Sequence, residues 1–154
     1  MKWLCGVIAI LLTAVLGWLP FKGADVATLE PVETLYLYIN KETIRLETDE
    51  GWFGEGETVA DAVFHLEETT PGKIFLETVD FLIINKDSVK HLPELLPYLR
   101  LGCGLCVIGE RPDLSKAGAY LRTHSPRLTL GDYRGGEENI PELIMMGERG
   151  FFVE

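Results

Sequence analysis

The stretch GETVADAVFHLEETTPGKIFLETVDFLIINK, residues 56–86, decides the fold, because it joins one amphipathic helix to one strand with no polar face. From Thr58 onward Val59, Ala62, Val63 and Leu66 fall at i, i+3, i+4 and i+7, while Asp61, His65 and Glu68 take the opposite side. Thr58 with Asp61 three residues later makes a capping pair. Pro71 disfavours helical geometry at Thr70, and Gly72 tolerates the turn after it, so the helix is expected to stop near Thr69. Ile74, Phe75 and Leu76 come next, then Val79 to Ile84 broken only by Asp80. The run Phe81, Leu82, Ile83, Ile84 is too short for a globular helix and apolar on both sides, which predicts a central strand covered on both faces.

Toward the N-terminus, Val32 to Asn40 alternates Leu35, Leu37 and Ile39 with Thr34, Tyr36 and Tyr38, giving one aliphatic and one aromatic face. Asn40 and Lys41 make a tight connection to Thr43–Thr48, where Ile44 and Leu46 alternate with Arg45 and Glu47. These two runs predict an antiparallel hairpin with one wet side. Asp49 to Glu57 is an acidic, glycine-containing loop around Trp52 and Phe53, which either cover the edge of the core or form a contact patch.

Toward the C-terminus, Ser88 is expected to cap a second helical stretch reaching about Arg100. Pro93 and Pro97 divide it into two short pieces, with Pro93 opening the second and Leu92, Leu95, Leu96 and Leu99 facing the core. Leu105–Ile108 is the next strand, ended by Gly109. Pro112 and Asp113 then introduce a helix over Leu114 to about Thr123, with Leu114, Ala117, Gly118 and Leu121 on one stripe. Leu128–Leu130 and Gly150–Val153 have strand character, and Pro141–Met146 is taken as a helical turn. The expected class is α/β (α+β): a mixed β-sheet with an antiparallel edge hairpin and two or three packed helices, preceded by an N-terminal transmembrane helix.

That leader is Trp3–Leu19, 17 residues without a charge, with Lys2 before it and Pro20 after it. At about 1.5 Å per residue it spans roughly 25 Å, enough for a thin or compliant bilayer. Trp3 and Trp18 bracket the run as interfacial anchors. Cleavage after Gly17 would convert the anchor into a signal peptide; the anchor is preferred because the other small residues, Ala24 and Ala27, sit behind Lys22 and Asp25. Lys2 keeps the N-terminus cytoplasmic and places the rest on the extracytoplasmic side. The expected division is 1–22 signal anchor or signal peptide, 23–31 linker, and 32–154 a single α/β extracytoplasmic domain.

The chain carries 14 Lys and Arg against 24 Asp and Glu. Both Lys2 and Lys22 precede every acidic residue, so from Gly23 onward the formal charge is −12. Such a surface repels phosphate backbones and anionic headgroups, which argues against a nucleic-acid partner.

The order hairpin, then GETVADAVFHLEETTPGKIFLETVDFLIINKD, then LPELLPYLRLGCGLCVIGE and a short helix resembles the N-terminal domain of Ger(x)C-type spore germination proteins, the C subunits of germinant receptors. Gly56, Thr58, Asp61 and Ala62 match that family's first helix. Lys73–Leu76 and Leu82–Ile84 match its next strands, and Arg100, Leu101 and Val107–Gly109 the segment after them. The likeness runs from roughly Val32 to Leu121, and RLTLGDY and GERGFFVE echo the family's next segment. The resemblance implies a non-enzymatic protein-interaction component whose partners are other receptor subunits. Family members carry a lipid-modified cysteine after a signal sequence and continue into further domains. Cys5 lies ahead of most of the apolar run, so here Trp3–Leu19 would be the anchor.

The strongest candidate for chemistry is Cys103-Gly104-Leu105-Cys106, a C-x-x-C pair that in an oxidising compartment could serve an extracytoplasmic thiol oxidoreductase. A working dithiol sits where a strand meets a helix N-terminus, whereas Cys106 here leads into Val107 and Ile108. In an extended strand positions i and i+3 point to opposite faces, so packed cysteines are preferred to catalytic ones. His65 on the wet side of the central helix, His91 near a helix start and His124 in a loop have no spaced partners. Asp49–Glu50, Glu67–Glu68 and Glu137–Glu138 lack the spacing of a calcium loop. Gly54-x-Gly56 and Gly102-x-Gly104 begin a dinucleotide fingerprint but carry Val59 and Val107 in place of the third glycine. Ser88, Ser115 and Ser125 lack a nucleophile-elbow context. No catalytic, cofactor-binding or metal-ligating set is expected. A secreted small binding domain, released by cleavage of the leader, is the third reading.

Overall fold

The computed structural model describes residues 29–153. The expected membrane anchor, residues 1–22, and residues 23–28 of the expected linker lie outside the described residues. The elements in chain order are β1 (Leu29–Pro31), β2 (Thr34–Asn40), β3 (Thr43–Thr48), β4 (Phe53–Gly56), α1 (Val59–Thr69), β5 (Lys73–Phe75), β6 (Phe81–Asn85), α2 (Leu92–Leu95), β7 (Gly104–Ile108), α3 (Leu114–Thr123), α4 (Leu130–Arg134), β8 (Glu142–Met146) and β9 (Arg149–Val153).

Seven strands form one mixed sheet in the order β4-β3-β2-β6-β7-β8-β9, and β1 pairs with β5 in a small parallel pair beside it. The inner strands β2, β6, β7 and β8 run parallel. The outer strands are antiparallel additions, β3 and β4 at one rim and β9 at the other. The expected hairpin is present as β2–β3 but not at the rim, because β4 pairs outside β3; at the opposite rim stands an antiparallel hairpin, β8–β9, that the sequence did not announce.

Strand alternation sorts the side chains into two cores. Leu35, Leu37, Leu82, Ile84, Leu105 and Val107 face α1 and α2, together with Val59, Ala62, Val63 and Leu66. Tyr36, Phe81, Ile83, Cys106 and Ile108 face α3 and meet Leu114, Ala117 and Leu121. The continuous apolar run of β6 is thus covered on both sides, as its sequence predicts. Burying each Val or Leu of the α1 stripe is worth about 1.5–3 kcal/mol before chain entropy is subtracted. Helix α1 starts at a complete capping box, in which Thr58 Oγ1 accepts from the Asp61 amide and the Asp61 carboxylate accepts from the Thr58 amide.

Several expectations need correction. Residues 49–57 are not all loop, because Phe53–Gly56 pairs with β3. The glycines that suggested a turn serve close packing: a Cβ on Gly54 would overlap the Ala62 carbonyl oxygen and the Leu66 amide of α1. Pro141–Met146 is not a helical turn, since Glu142–Met146 is β8, held by Val107 on one side and β9 on the other. Leu128–Leu130 forms only an isolated bridge, Thr129 to Gly104, and Leu130 opens α4 behind a second capping box of Thr129 and Asp132. Leu29–Pro31 is a strand rather than linker.

Ser88 caps nothing. It is buried, and the Asn85 side chain accepts from the Asp87 amide instead, opening a 3-10 stretch, Lys86–His91, ahead of α2. Two prolines keep the next segment to single turns, with Pro93 in the first turn of α2 and Pro97 inside the 3-10 turn Leu96–Tyr98.

Candidate functional site

The cysteine pair is separated by the sheet itself. Cys103 packs with the α1–α2 core and Cys106 with the α3 core, so their side chains lie on opposite faces. Both are free and buried. Burial pushes the Cys103 thiol up to about 12 despite the nearby Arg100, and burial raises Cys106 further. A thiol held protonated in this way is a poor nucleophile.

The histidines are tied into local structure. Nδ1 of His65 accepts the Glu55 amide at 3.1 Å, lashing α1 to β4, and its ring meets Phe53 edge-on. His91 Nδ1 lies 2.9 Å from the Glu94 carboxylate. His124 stacks on Tyr120 with ring centroids 4.4 Å apart. No cluster of three His, Cys, Asp or Glu side chains able to hold a metal exists among the described residues.

Two surface features remain, at the two ends of the sheet order. On the α3 side a row of polar and aromatic side chains runs from buried Tyr36, in the α3 core, outward over β3 and β4. Tyr36 and Tyr38 stack at 4.8 Å, Arg45 lies 4.0 Å above the Phe53 ring, and Nη2 of Arg111 reaches both carboxylate oxygens of Glu47 at 2.6 and 2.7 Å. Tyr38 donates to Glu47 at 3.3 Å. Glu47 holds the Arg111 guanidinium more firmly protonated than usual, while burial raises both tyrosines. Arg45 Nη1 lies 3.6 Å from the Glu55 carboxylate, so each charge in the row faces an opposite one, although the buried Arg45 Nε has no hydrogen-bond partner among the described residues. The row is a structural clasp between the β7–α3 loop and the sheet.

The second feature is the β8–β9 hairpin. Among the described residues nothing pairs with the outer edge of β9. The hairpin keeps one apolar face against α3, where Leu143 and Phe152 pack. The other face carries Ile144, Met146, Phe151 and Val153, and the last three are 69%, 46% and 42% exposed. Among the described residues no helix covers them; α1 rests on β4 and β3, at the opposite rim of the sheet. Lys86 anchors the base of the hairpin through Glu142 at 2.7 Å.

No family model, curated protein or solved structure matches this chain. Among the described residues the β8–β9 rim combines an unpaired strand edge with an apolar face left exposed. Trp52, one of the two aromatics singled out in the sequence, packs against the core, while Phe53 lies under Arg45. The β9 edge was missed as a site because GFFV signals a strand without saying whether that strand is inner or outer.

Proposed function

We propose that this chain is a docking domain, tethered by Trp3–Leu19 to a membrane and facing the extracytoplasmic side, with a role similar to that of the first domain of Ger(x)C germination subunits. The observation that carries the docking role is the β8–β9 hairpin, with its open edge and its uncovered Met146, Phe151 and Val153. Patches of this kind on a strand edge drive association, and a membrane tether raises the effective concentration of any partner in the same bilayer. The charge of −12 from Gly23 onward suits a partner surface that is basic. The thiol oxidoreductase reading gains no support from two buried sulfurs on opposite faces.

The test is recovery of the tagged full chain from membranes in mild detergent, with and without Phe151→Asp. Wild type is expected to bring down a defined membrane-associated partner, and Phe151→Asp to lose at least nine-tenths of it while keeping its melting temperature. Equal recovery by both forms would remove the hairpin as the docking surface. Unchanged germination timing on deletion in a spore-forming host, or a host without spores, would remove the germination role.

A further inference from the structure

The rim that carries the proposed docking surface has more detail than an apolar patch. The β8–β9 turn is two residues, Gly147 and Glu148, with Gly147 at φ 69° in the first position. A turn of that length makes its flanking pair, Met146 and Arg149, a hydrogen-bonded one, and bonding then alternates along the strand. Gly150 and Phe152 therefore turn their N–H and C=O groups outward, to the side of β9 with which no described residue pairs.

Beside that edge stands α3. The Tyr120 ring lies so close to β9 that a Cβ on Gly150 would sit 3.0 Å from Tyr120 Cε1. Tyr120 and His124, stacked together, form a ridge with a hollow on each side. One hollow, about 590 Å³, is bordered by Lys116, Ala119, Thr123, Glu148 and Gly150. The other, about 1200 Å³, is bordered by Arg127, Asp132, Glu137 and Phe152. Both border the rim at residues of β9, Gly150 for one and Phe152 for the other. An exposed strand edge walled by a helix, with hollows spaced along it, is the arrangement by which a sheet accepts an extended peptide as its next strand.

We infer that the β9 edge takes up an extended, basic segment of a partner protein as an eighth strand of the sheet, in the groove between β9 and α3; this rests on the docking role proposed above. The peptide backbone pairs with Gly150 and Phe152. Alternate side chains drop into the hollows on either side of Tyr120 and His124, and the intervening ones lie beside Phe151 and Val153. The groove's own lining is balanced, with Lys116, Arg127 and Arg149 against Asp132, Glu137 and Glu148, so the basic character follows from the formal charge of −12 that the chain carries from Gly23 onward. Like charges across such an edge cost affinity, and opposite ones speed and orient the encounter.

The probe is the acetylated, amidated peptide KVKVTVKVK, titrated into the full chain in detergent micelles and followed by amide chemical shifts. The expected result is saturable movement of the Gly150 and Phe152 amides and of residues 116–124. Affinity should fall at least tenfold for the same peptide N-methylated at alternate residues, and at least tenfold for the version with every Lys replaced by Glu. Ala119→Trp, at an exposed position on α3, should block the first hollow without changing the melting temperature, and should weaken the peptide by a similar factor. Strand addition would be overturned by no movement at millimolar peptide, by indifference to N-methylation, or by a β9-mediated dimer of this chain in sedimentation that the peptide does not dissociate. Should Ala119→Trp retain its membrane partner when Phe151→Asp has lost it, the docking role survives and the strand-addition mode does not.

Discussion

Arg111 Nη2 sits 2.6 and 2.7 Å from the two oxygens of the Glu47 carboxylate, joining residues 64 apart in sequence across the open face of the sheet. The contact fixes the loop between β7 and α3 over the C-terminal end of β3. The Arg111 side chain is 58% exposed, so solvent screens much of the attraction. A double-mutant cycle with Arg111→Ala and Glu47→Gln, read by urea denaturation, is expected to give a coupling of about 0.5–1 kcal/mol, falling with added salt. A coupling of zero at low salt would mean that the loop is held by its packing alone.

Gly54 should tolerate nothing larger. Its missing side chain lets α1 rest directly on β4, and a methyl there would meet the helix backbone at Ala62 and Leu66, which cannot yield as a flexible side chain would. Gly54→Ala is expected to cost about 3 kcal/mol or more, or to prevent folding. Gly102→Ala, with open space around it, should change stability by less than about 0.5 kcal/mol. Equal melting temperatures for the two variants would refute the close approach.

The buried thiols set an alkaline limit on stability. Cys103 and Cys106 have folded values above the ordinary thiol value, about 12 for Cys103, so between the two values the unfolded chain holds fewer protons than the native one. Their contribution is complete below about pH 8.5 and is lost as pH rises toward 12. Denaturation midpoints measured from pH 7 to 10.5 are expected to fall more steeply for wild type than for Cys103→Ala. In a Cys5→Ser background neither thiol should react with a thiol reagent at pH 8 until the protein is unfolded. Rapid native labelling would contradict the burial.

Ser88 places a hydroxyl inside the core. Its hydroxyl is fully buried and has no hydrogen-bond partner among the described residues. Ser88→Ala removes an unsatisfied group at little loss of volume, so it should stabilise the fold by about 0.5–1.5 kcal/mol, seen as a higher urea midpoint. Destabilisation would indicate that the hydroxyl has a partner such as a bound water.

Where a pattern is local, the chain is legible without coordinates. The α1 stripe, its Thr58–Asp61 box, the two-faced run of β6 and the Leu114–Thr123 helix all follow from spacing within a dozen residues, because helix and strand each impose their own period on the apolar positions. The opposite orientation of Cys103 and Cys106 follows from the same strand period. Harder cases were those in which a segment takes its structure from a distant neighbour. GWFGEG looks like loop until β3 and α1 close around Gly54, and PELIMM suits a short helical turn as well as a strand until Val107 and β9 supply its hydrogen bonds. The amino-acid order alone thus determined the kind of layers and which side of each is apolar. Tertiary structure decided which strands became rims, because an edge is defined by a partner that does not come, and no residue within the strand can encode that by its own periodicity.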